Sequence, residues 1–285
     1  MELAKRDRAQ KFDWNQHPIT SKCIKLYTKL CQGYNAKRVI QGALMLNLLR
    51  IHHPKAWEIT SRRILFLLHK YKARDFALML RLFNEVTMLE FGKEVDVISP
   101  EAAFQDAYKK NFKKISEGIP KNFFARITGM LPMHIALMTD KDLVTTLEVL
   151  VQRNLGGERL FNHYIYLKIE KNVLRFDHDL YCRTIRALAD KQYVEDSVFW
   201  DDYMFKYLTH NRHGTEGKRE LTFNQAKKIW DSLVYLKIKC PTIDLKDSLK
   251  NVEKFLNVES ETPKEPQKEL PEETVEEAEQ VKASD

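Results

Sequence analysis

The chain has 285 residues, of which 44% are hydrophobic and only 9 are glycine and 9 proline, so it can bury a core but has few turn-forming residues for a many-stranded β fold. The formal net charge is +7, but residues 259–285 carry ten acids against three lysines, which leaves residues 1–258 with 44 basic and 30 acidic residues and a net +14. This composition excludes a wholly disordered chain, and the lack of an apolar run of about 18 residues argues against a membrane span.

A body this basic attracts polyanions or acidic protein surfaces, although solvated helix faces rich in Lys and Arg would give the same charge. Apolar residues recur at three- and four-residue spacing along most of it, which predicts about twelve α-helices. The first four are predicted over residues 20–33, over 36–51, from Pro54, and over 73–91. Ser99-Pro100-Glu101 predicts a further helix start, and Pro132 should kink or break the helix that begins near Pro120.

In the second half, N-cap residues mark the helix starts. Thr139, Asp177 and Thr222 each precede a periodic apolar segment, and Gln225 follows Thr222 at the spacing of a capping box. Gly156-Gly157 is predicted to end the helix that starts at Thr139. Two further helices are predicted over residues 195–211 and 244–258.

Three of these helices carry the same apolar pattern. Residues 143, 147, 150, 151 and 155 align with 181, 185, 188, 189 and 193 at an offset of 38, and a third copy at 226, 230, 233, 234 and 238 lies 45 further on. The seven extra residues fit a loop insertion over 212–219. Because one helix hairpin cannot bury its apolar face alone, this repeat predicts stacked hairpins, an α-solenoid. Any helical bundle could match such a pattern by chance, which is the alternative.

The chain is therefore predicted to have an N-terminal extension over 1–18, a helical-repeat domain over 19–258 and a disordered acidic tail over 259–285. The tail contains almost no large apolar residues, so burial cannot offset the entropy of ordering it. It would either solubilise the protein or compete for the basic surface.

Three groups of basic residues are candidates for binding RNA or a protein partner. They are Arg62, Arg63, Lys70, Lys72 and Arg74 around Tyr71; Lys109, Lys110, Lys113 and Lys114 near Tyr108 and Phe112; and Arg212, Lys218, Arg219, Lys227 and Lys228. A solenoid would align them into a groove that follows a phosphate backbone, with aromatic rings available for base stacking. A soluble helix also exposes such residues to water.

The sequence gives little support for catalysis. His178 and Cys182 would share a helix face, but metal sites need three or four ligands, and a helix start with a core cysteine accounts for both residues. The segment from Gly214 to Lys218 lacks the spacing of a phosphate-binding loop. We therefore predict no enzyme activity, no metal or cofactor and no small-molecule substrate. The four cysteines lack CxxC spacing and indicate a soluble intracellular protein.

The helix-pair units resemble the heptatricopeptide-type repeats of FAST-kinase-like mitochondrial RNA-binding proteins. The resemblance lies in LEVLVQRNL (147–155), IRALADKQY (185–193) and ILFLLHKYKARDF (64–76). It implies a solenoid that binds RNA, or acts in an organellar ribonucleoprotein, in mitochondria. The small α/β domain that usually ends that family is not apparent, so no nuclease-like module is expected. The alternative is a structural subunit of a mitochondrial ribosome or respiratory assembly, with FWDDYMFKY (199–207) as an interface unless it is buried between repeats.

Overall fold

The computed structural model describes residues 17–87, 113–194, 197–210, 221–245 and 248–258. These residues form an all-helical fold without a strand, and the predicted all-α class with about twelve helices is confirmed. The twelve α-helices within the described ranges are α1 Pro18–Leu30, α2 Ala36–Leu48, α3 Pro54–Phe66, α4 Ala73–Thr87, α5 Phe123–His134, α6 Asp140–Gln152, α7 Glu158–Leu160, α8 Leu167–Asn172, α9 His178–Asp190, α10 Lys206–His210, α11 Phe223–Lys239 and α12 Ser248–Val258. Residues 113–118 are also helical.

Shorter helical turns connect several of these elements. The π-helical stretch Phe161–Tyr166 joins α7 to α8, and a second one, Phe199–Met204, precedes α10. The 3-10 turns Cys31–Gly33, Leu68–Lys70, Ile135–Leu137 and Val173–Arg175 follow α1, α3, α5 and α8. The same sequence of elements, helix, 3-10 turn and helix, therefore occurs four times.

Side-chain caps fix where four of the second helices begin, namely α2, α6, α9 and α11. The predicted N-caps Thr139, Asp177 and Thr222 are confirmed: each accepts a hydrogen bond from the backbone N–H three residues later, and Gln225 completes the capping box. Asn35 caps α2 in the same way, with Arg38 N–H 3.0 Å from its Oδ1. Because these caps satisfy N–H groups that a helix leaves unpaired, they set a common starting point for the repeated helices.

The ends of three second helices are also alike. Arg50, Asn154 and Gln192 have φ values of 51°, 50° and 55°, in the left-handed region. Each lies fifteen positions after its N-cap residue, and the next N–H bonds to the carbonyl five residues earlier, at 2.8 Å, 2.8 Å and 3.1 Å. This is the Schellman end of a helix. The prediction that Gly156-Gly157 ends α6 is wrong, because α6 ends at Gln152 and Asn154 takes the left-handed position.

Equivalent helices of successive pairs pack side by side. The second helices contact in the order α2, α4, α6, α9 and α11, and the first helices α1, α3 and α5 contact in the same order. At the C-terminal end, α12 packs across both α10 and α11. The three helices that carry the repeated apolar pattern, α6, α9 and α11, are therefore consecutive neighbours in a repeat-like fold.

The aromatic side chains lie mainly in the core. Trp57 and Phe83 contact edge to face at 5.3 Å between ring centroids, and Phe83 lies 4.3 Å from Phe123, so these rings join α3, α4 and α5. In the segment 199–207, the rings of Phe199, Trp200, Phe205 and Tyr207 are all buried. The alternative that this segment offers an exposed aromatic interface is therefore wrong, because its large side chains pack inside the fold.

Two other expectations have different outcomes. Pro132 does not break its helix, because α5 continues to His134 before the 3-10 turn begins. The predicted helix start at Ser99, the loop insertion at 212–219 and the acidic tail at 259–285 lie outside the described residues.

Candidate nucleic-acid interface

The first predicted basic group lies at the junction of α3 and α4. Arg62 and Arg63 are in the last turns of α3, Lys70 ends the following 3-10 turn, and Lys72 and Arg74 flank the first residue of α4. All are exposed except Arg63, which is half-buried. This arrangement follows from the sequence because Leu67 and Leu68 turn into the core.

Arg63 connects this junction to the one before it. Its Nε and Nη2 donate hydrogen bonds to the backbone carbonyl of Tyr34, at 2.9 Å and 2.7 Å. Its guanidinium also lies 5.0 Å from the centroid of the Phe66 ring. Arg63 therefore holds the junction of α1 and α2 beside the junction of α3 and α4.

This contact brings in two cations that sequence grouping missed. Lys37 and Arg38 are exposed in the first turn of α2, which packs beside α4. The sequence does contain a signal for these two cations. Asn35 directly precedes α2 and Lys72 directly precedes α4, and they are 37 residues apart, close to the 38-residue repeat. We name the surface formed by five exposed cations the basic edge: Lys37, Arg38, Lys70, Lys72 and Arg74. Within the described residues, none of these side chains forms an ion pair.

An exposed aromatic ring lies beside the basic edge. Phe66, in the last turn of α3, is 70% exposed, whereas Tyr71 is only 4% exposed. Tyr71 is therefore unavailable for the base stacking that the sequence suggested, and Phe66 offers its ring instead. Arg62 lies one turn earlier on α3 and pairs with Glu58 at 2.9 Å.

The positive charge is concentrated in this part of the fold. Residues 17–87 contain thirteen lysines and arginines against three acids, a net of +10. The described residues from 113 onward contain twenty against fourteen, a net of +6 over nearly twice the length. Of the three acids, Glu58 pairs with Lys55 and Arg62, Glu85 pairs with Arg81, and Asp75 accepts the backbone N–H of Lys72.

Later helices pair their charges with one another. Arg183 on α9 forms a two-point ion pair with Glu148 on α6, and the hydrogen bond to Glu148 raises the pKa of Arg183. Lys228 on α11 lies 2.8 Å from Asp179 on α9, and this bond lowers the pKa of Asp179 and raises that of Lys228. The cation of Lys228, a predicted site residue, is therefore already matched by a carboxylate.

The remaining predicted site residues are not brought to the basic edge. Lys113 and Lys114 are exposed in the helical residues 113–118, one turn before Gly118, which lies near Glu58 at the start of α3. Lys227 is exposed on α11, three second helices away from α4. Lys109, Lys110, Arg212, Lys218 and Arg219 lie outside the described residues.

His178 and Cys182 have contacts within the fold. The Tyr207 O–H lies 2.8 Å from Nδ1 of His178, and burial lowers the pKa of this imidazole. Cys182 is buried, which raises the pKa of its thiol. Asp177, next to them in sequence, is the N-cap of α9. These contacts agree with the structural interpretation of the pair.

In the described ranges, no helix combines the length and the apolar character that crossing a membrane requires. No protein-family model matches the chain, and no curated protein is significantly similar to it.

Proposed function

We propose that this protein is a non-catalytic α-solenoid that binds single-stranded RNA along the basic edge. The observation that carries the proposal is the set of exposed cations at neighbouring helix starts, Lys37 and Arg38 on α2 and Lys72 and Arg74 at α4, none of which pairs with a carboxylate of the described residues. Two adjacent helix starts that both carry positive charge repel each other, and a phosphate backbone between them would remove that repulsion.

The solenoid part of the proposal is supported by the repeated packing. Second helices of successive pairs contact in chain order. Three of them, α2, α6 and α9, have thirteen residues each, begin at a side-chain N-cap and are followed by a left-handed residue. Stacking of equivalent units in one direction is what distinguishes a solenoid from a closed bundle. Such a stack presents equivalent helix starts along one edge.

Phe66 supports single-stranded RNA over a duplex. Its exposed ring lies next to Arg63 and one turn before Lys70, so a base could stack on it while the neighbouring phosphates contact lysines. A base within a duplex does not offer its face in this way, whereas unpaired bases stack readily on aromatic side chains.

The test is the salt dependence of binding. We would measure the affinity of the full chain for a fluorescent 12-nucleotide single-stranded RNA between 50 and 200 mM salt. If five cations contact phosphates, the slope of log K against log salt should be about −3.5, a weakening of roughly 100-fold across that range. The triple variant Lys70→Gln, Lys72→Gln, Arg74→Gln should reduce the slope to about −1.4.

A second triple variant serves as the matched control. Lys121→Gln, Arg126→Gln, Arg159→Gln removes the same charge from exposed positions outside residues 17–87 and should leave the slope unchanged. Equal effects of the two triple variants, or no binding at 50 mM salt, would show that the basic edge is not an RNA site.

Membership of the FAST-kinase-like repeat family and a mitochondrial location belong to the same proposal. They rest on the resemblance of three helix-pair segments. Imaging of the full chain with a C-terminal fluorescent tag would test the location, and a cytosolic signal would contradict it.

A further inference from the structure

The first helix exposes an apolar stripe. Ile19, Cys23, Leu26 and Leu30 follow one another at spacings of four, three and four residues, so they share one face of α1. Ile19, Leu26 and Leu30 are 59%, 57% and 48% exposed, and Cys23 is exposed as well. Single exposed apolar residues are ordinary, but a contiguous stripe on one helix marks an interaction surface.

The stripe borders a groove between α1 and α2. The groove has a volume of about 420 Å³ and is lined mainly by apolar side chains, with Ile24 and Tyr27 from α1 and Met45 and Leu46 from α2. Gly42 allows the two helices to approach here, because a Cβ at this position would lie 2.6 Å from the Tyr27 ring. The Tyr27 hydroxyl lies 2.7 Å from that of Thr60 on α3, which holds the base of the groove in place.

The other end of the fold shows how such a surface is covered. There, α12 lies across both helices of the last pair, α10 and α11, and buries Val252 against the core. Within the described residues, no helix lies in this way on the outer side of α1 and α2. A single amphipathic helix placed along the groove would complete the N-terminal end as α12 completes the C-terminal end.

Charge identifies the kind of helix that fits. Residues 17–53 contain six lysines and arginines and no acid. Three of them, Lys22, Lys25 and Lys29, are exposed on α1 beside the apolar stripe. A helix docked on the stripe would bring its flanks next to these ammonium groups, so acidic flanks would be attracted and basic flanks repelled.

We infer that the α1–α2 groove docks an acidic amphipathic helix of a protein partner. The occupant places a row of aliphatic residues on Ile19, Leu26 and Leu30 and carboxylates beside Lys22 and Lys29. The chain's own acidic tail does not fit, because its only large aliphatic residues are Leu270, Val275 and Val281, and no two of them are three or four positions apart, so they cannot form a continuous stripe. The groove adjoins the basic edge, because Arg38 of that edge also lines the groove, whereas the stripe residues that the occupant contacts are not part of the basic edge.

A designed peptide tests the proposal on the full chain. The probe is a stapled 18-residue helix with four leucines spaced like the α1 stripe and glutamates on both flanks. It should bind at physiological salt, and a version with lysine in place of glutamate should bind about tenfold or more weakly. Leu26→Glu should weaken binding of the acidic probe by about tenfold. Ile238→Glu, at a 70% exposed position on α11, should have no effect.

A charge exchange gives a second, independent readout. Lys22→Glu, Lys25→Glu, Lys29→Glu should lose the acidic probe and gain the lysine probe. RNA binding should be unchanged by Leu26→Glu, so failure of the groove and failure of the basic edge are distinguishable. The proposal is overturned if the acidic probe does not bind, if it binds only after residues 1–16 are removed, or if light scattering shows a dimer that Leu26→Glu converts to a monomer.

Discussion

Glycine at the three left-handed helix ends should stabilise the protein. Arg50, Asn154 and Gln192 hold φ values near +50°, which residues other than glycine and asparagine rarely adopt. The conformation is required because the next residue must turn back to bond the helix, as Tyr193 N–H does to the carbonyl of Leu188. Replacing Arg50 or Gln192 with glycine removes the steric cost and keeps the hydrogen bond.

The size of the gain follows from two opposing terms. A left-handed residue with a Cβ costs roughly 1–2 kcal/mol, and glycine loses about 0.5–1 kcal/mol more backbone freedom on folding. The net gain is therefore about 0.5–1 kcal/mol each for Arg50→Gly and Gln192→Gly, and less for Asn154→Gly because asparagine tolerates this region. The three sites lie on separate helices, so the triple variant should gain about 2 kcal/mol, or roughly 4–8 °C in Tm.

Urea denaturation and thermal melting of the single and triple variants would measure the effect. Lys25→Gly, in the exposed interior of α1, is the matched control and should lose about 0.5–1 kcal/mol. If the glycine variants at positions 50 and 192 were destabilised as much as the control, these residues would not be left-handed helix ends. The repeated geometry of α2 and α9 would then be incorrect.

Two further variants test contacts between helices. Arg153 donates from Nε to Asn84 at 2.6 Å and lies 4.1 Å from the ring centroid of Phe124, and burial lowers its pKa to about 10. It is charged at neutral pH, so Arg153→Lys, which lacks the guanidinium fork, should cost about 1.5–3 kcal/mol in urea denaturation. Burial also lowers the pKa of His178 below the ordinary histidine value of 6.5. As the pH falls through 6.5, the imidazole therefore takes up a proton in the unfolded chain before it does so in the folded one. The free energy of unfolding should therefore fall as pH drops from 7 toward 5, and His178→Asn, placed to bond Tyr207, should reduce that slope.

The helix starts were predictable because their signals are local. Pro54 at a first helical position and Thr222 with Gln225 at capping-box spacing act on backbone groups within one turn. The apolar repeat was also predictable, because α6 and α9 have the same length and carry their apolar residues at the same positions, 38 residues apart. None of these features requires knowledge of which helices meet.

Two features could not be predicted from the sequence: one is a local choice between neighbouring residues, and the other depends on tertiary contacts. A glycine pair follows α6, yet Asn154 takes the left-handed position because Leu155 N–H bonds back to Leu150. Phe66 and Tyr71 are both aromatic residues among cations, and only the fold shows that the first is exposed and the second buried.

The distribution of paired charge distinguishes the two ends of the fold. Between α6, α9 and α11, cations face carboxylates, as Arg183 faces Glu148 and Lys228 faces Asp179, so these helices can pack without net repulsion. At the starts of α2 and α4, exposed cations such as Arg38 and Lys72 form no ion pair within the described residues, so their charge is not matched there. A ligand that binds only the folded state stabilises it in proportion to its affinity and concentration. A polyanion that neutralises the basic edge should therefore raise the free energy of unfolding of the first two helix pairs more than that of the later pairs, because the first two carry the larger excess of positive charge.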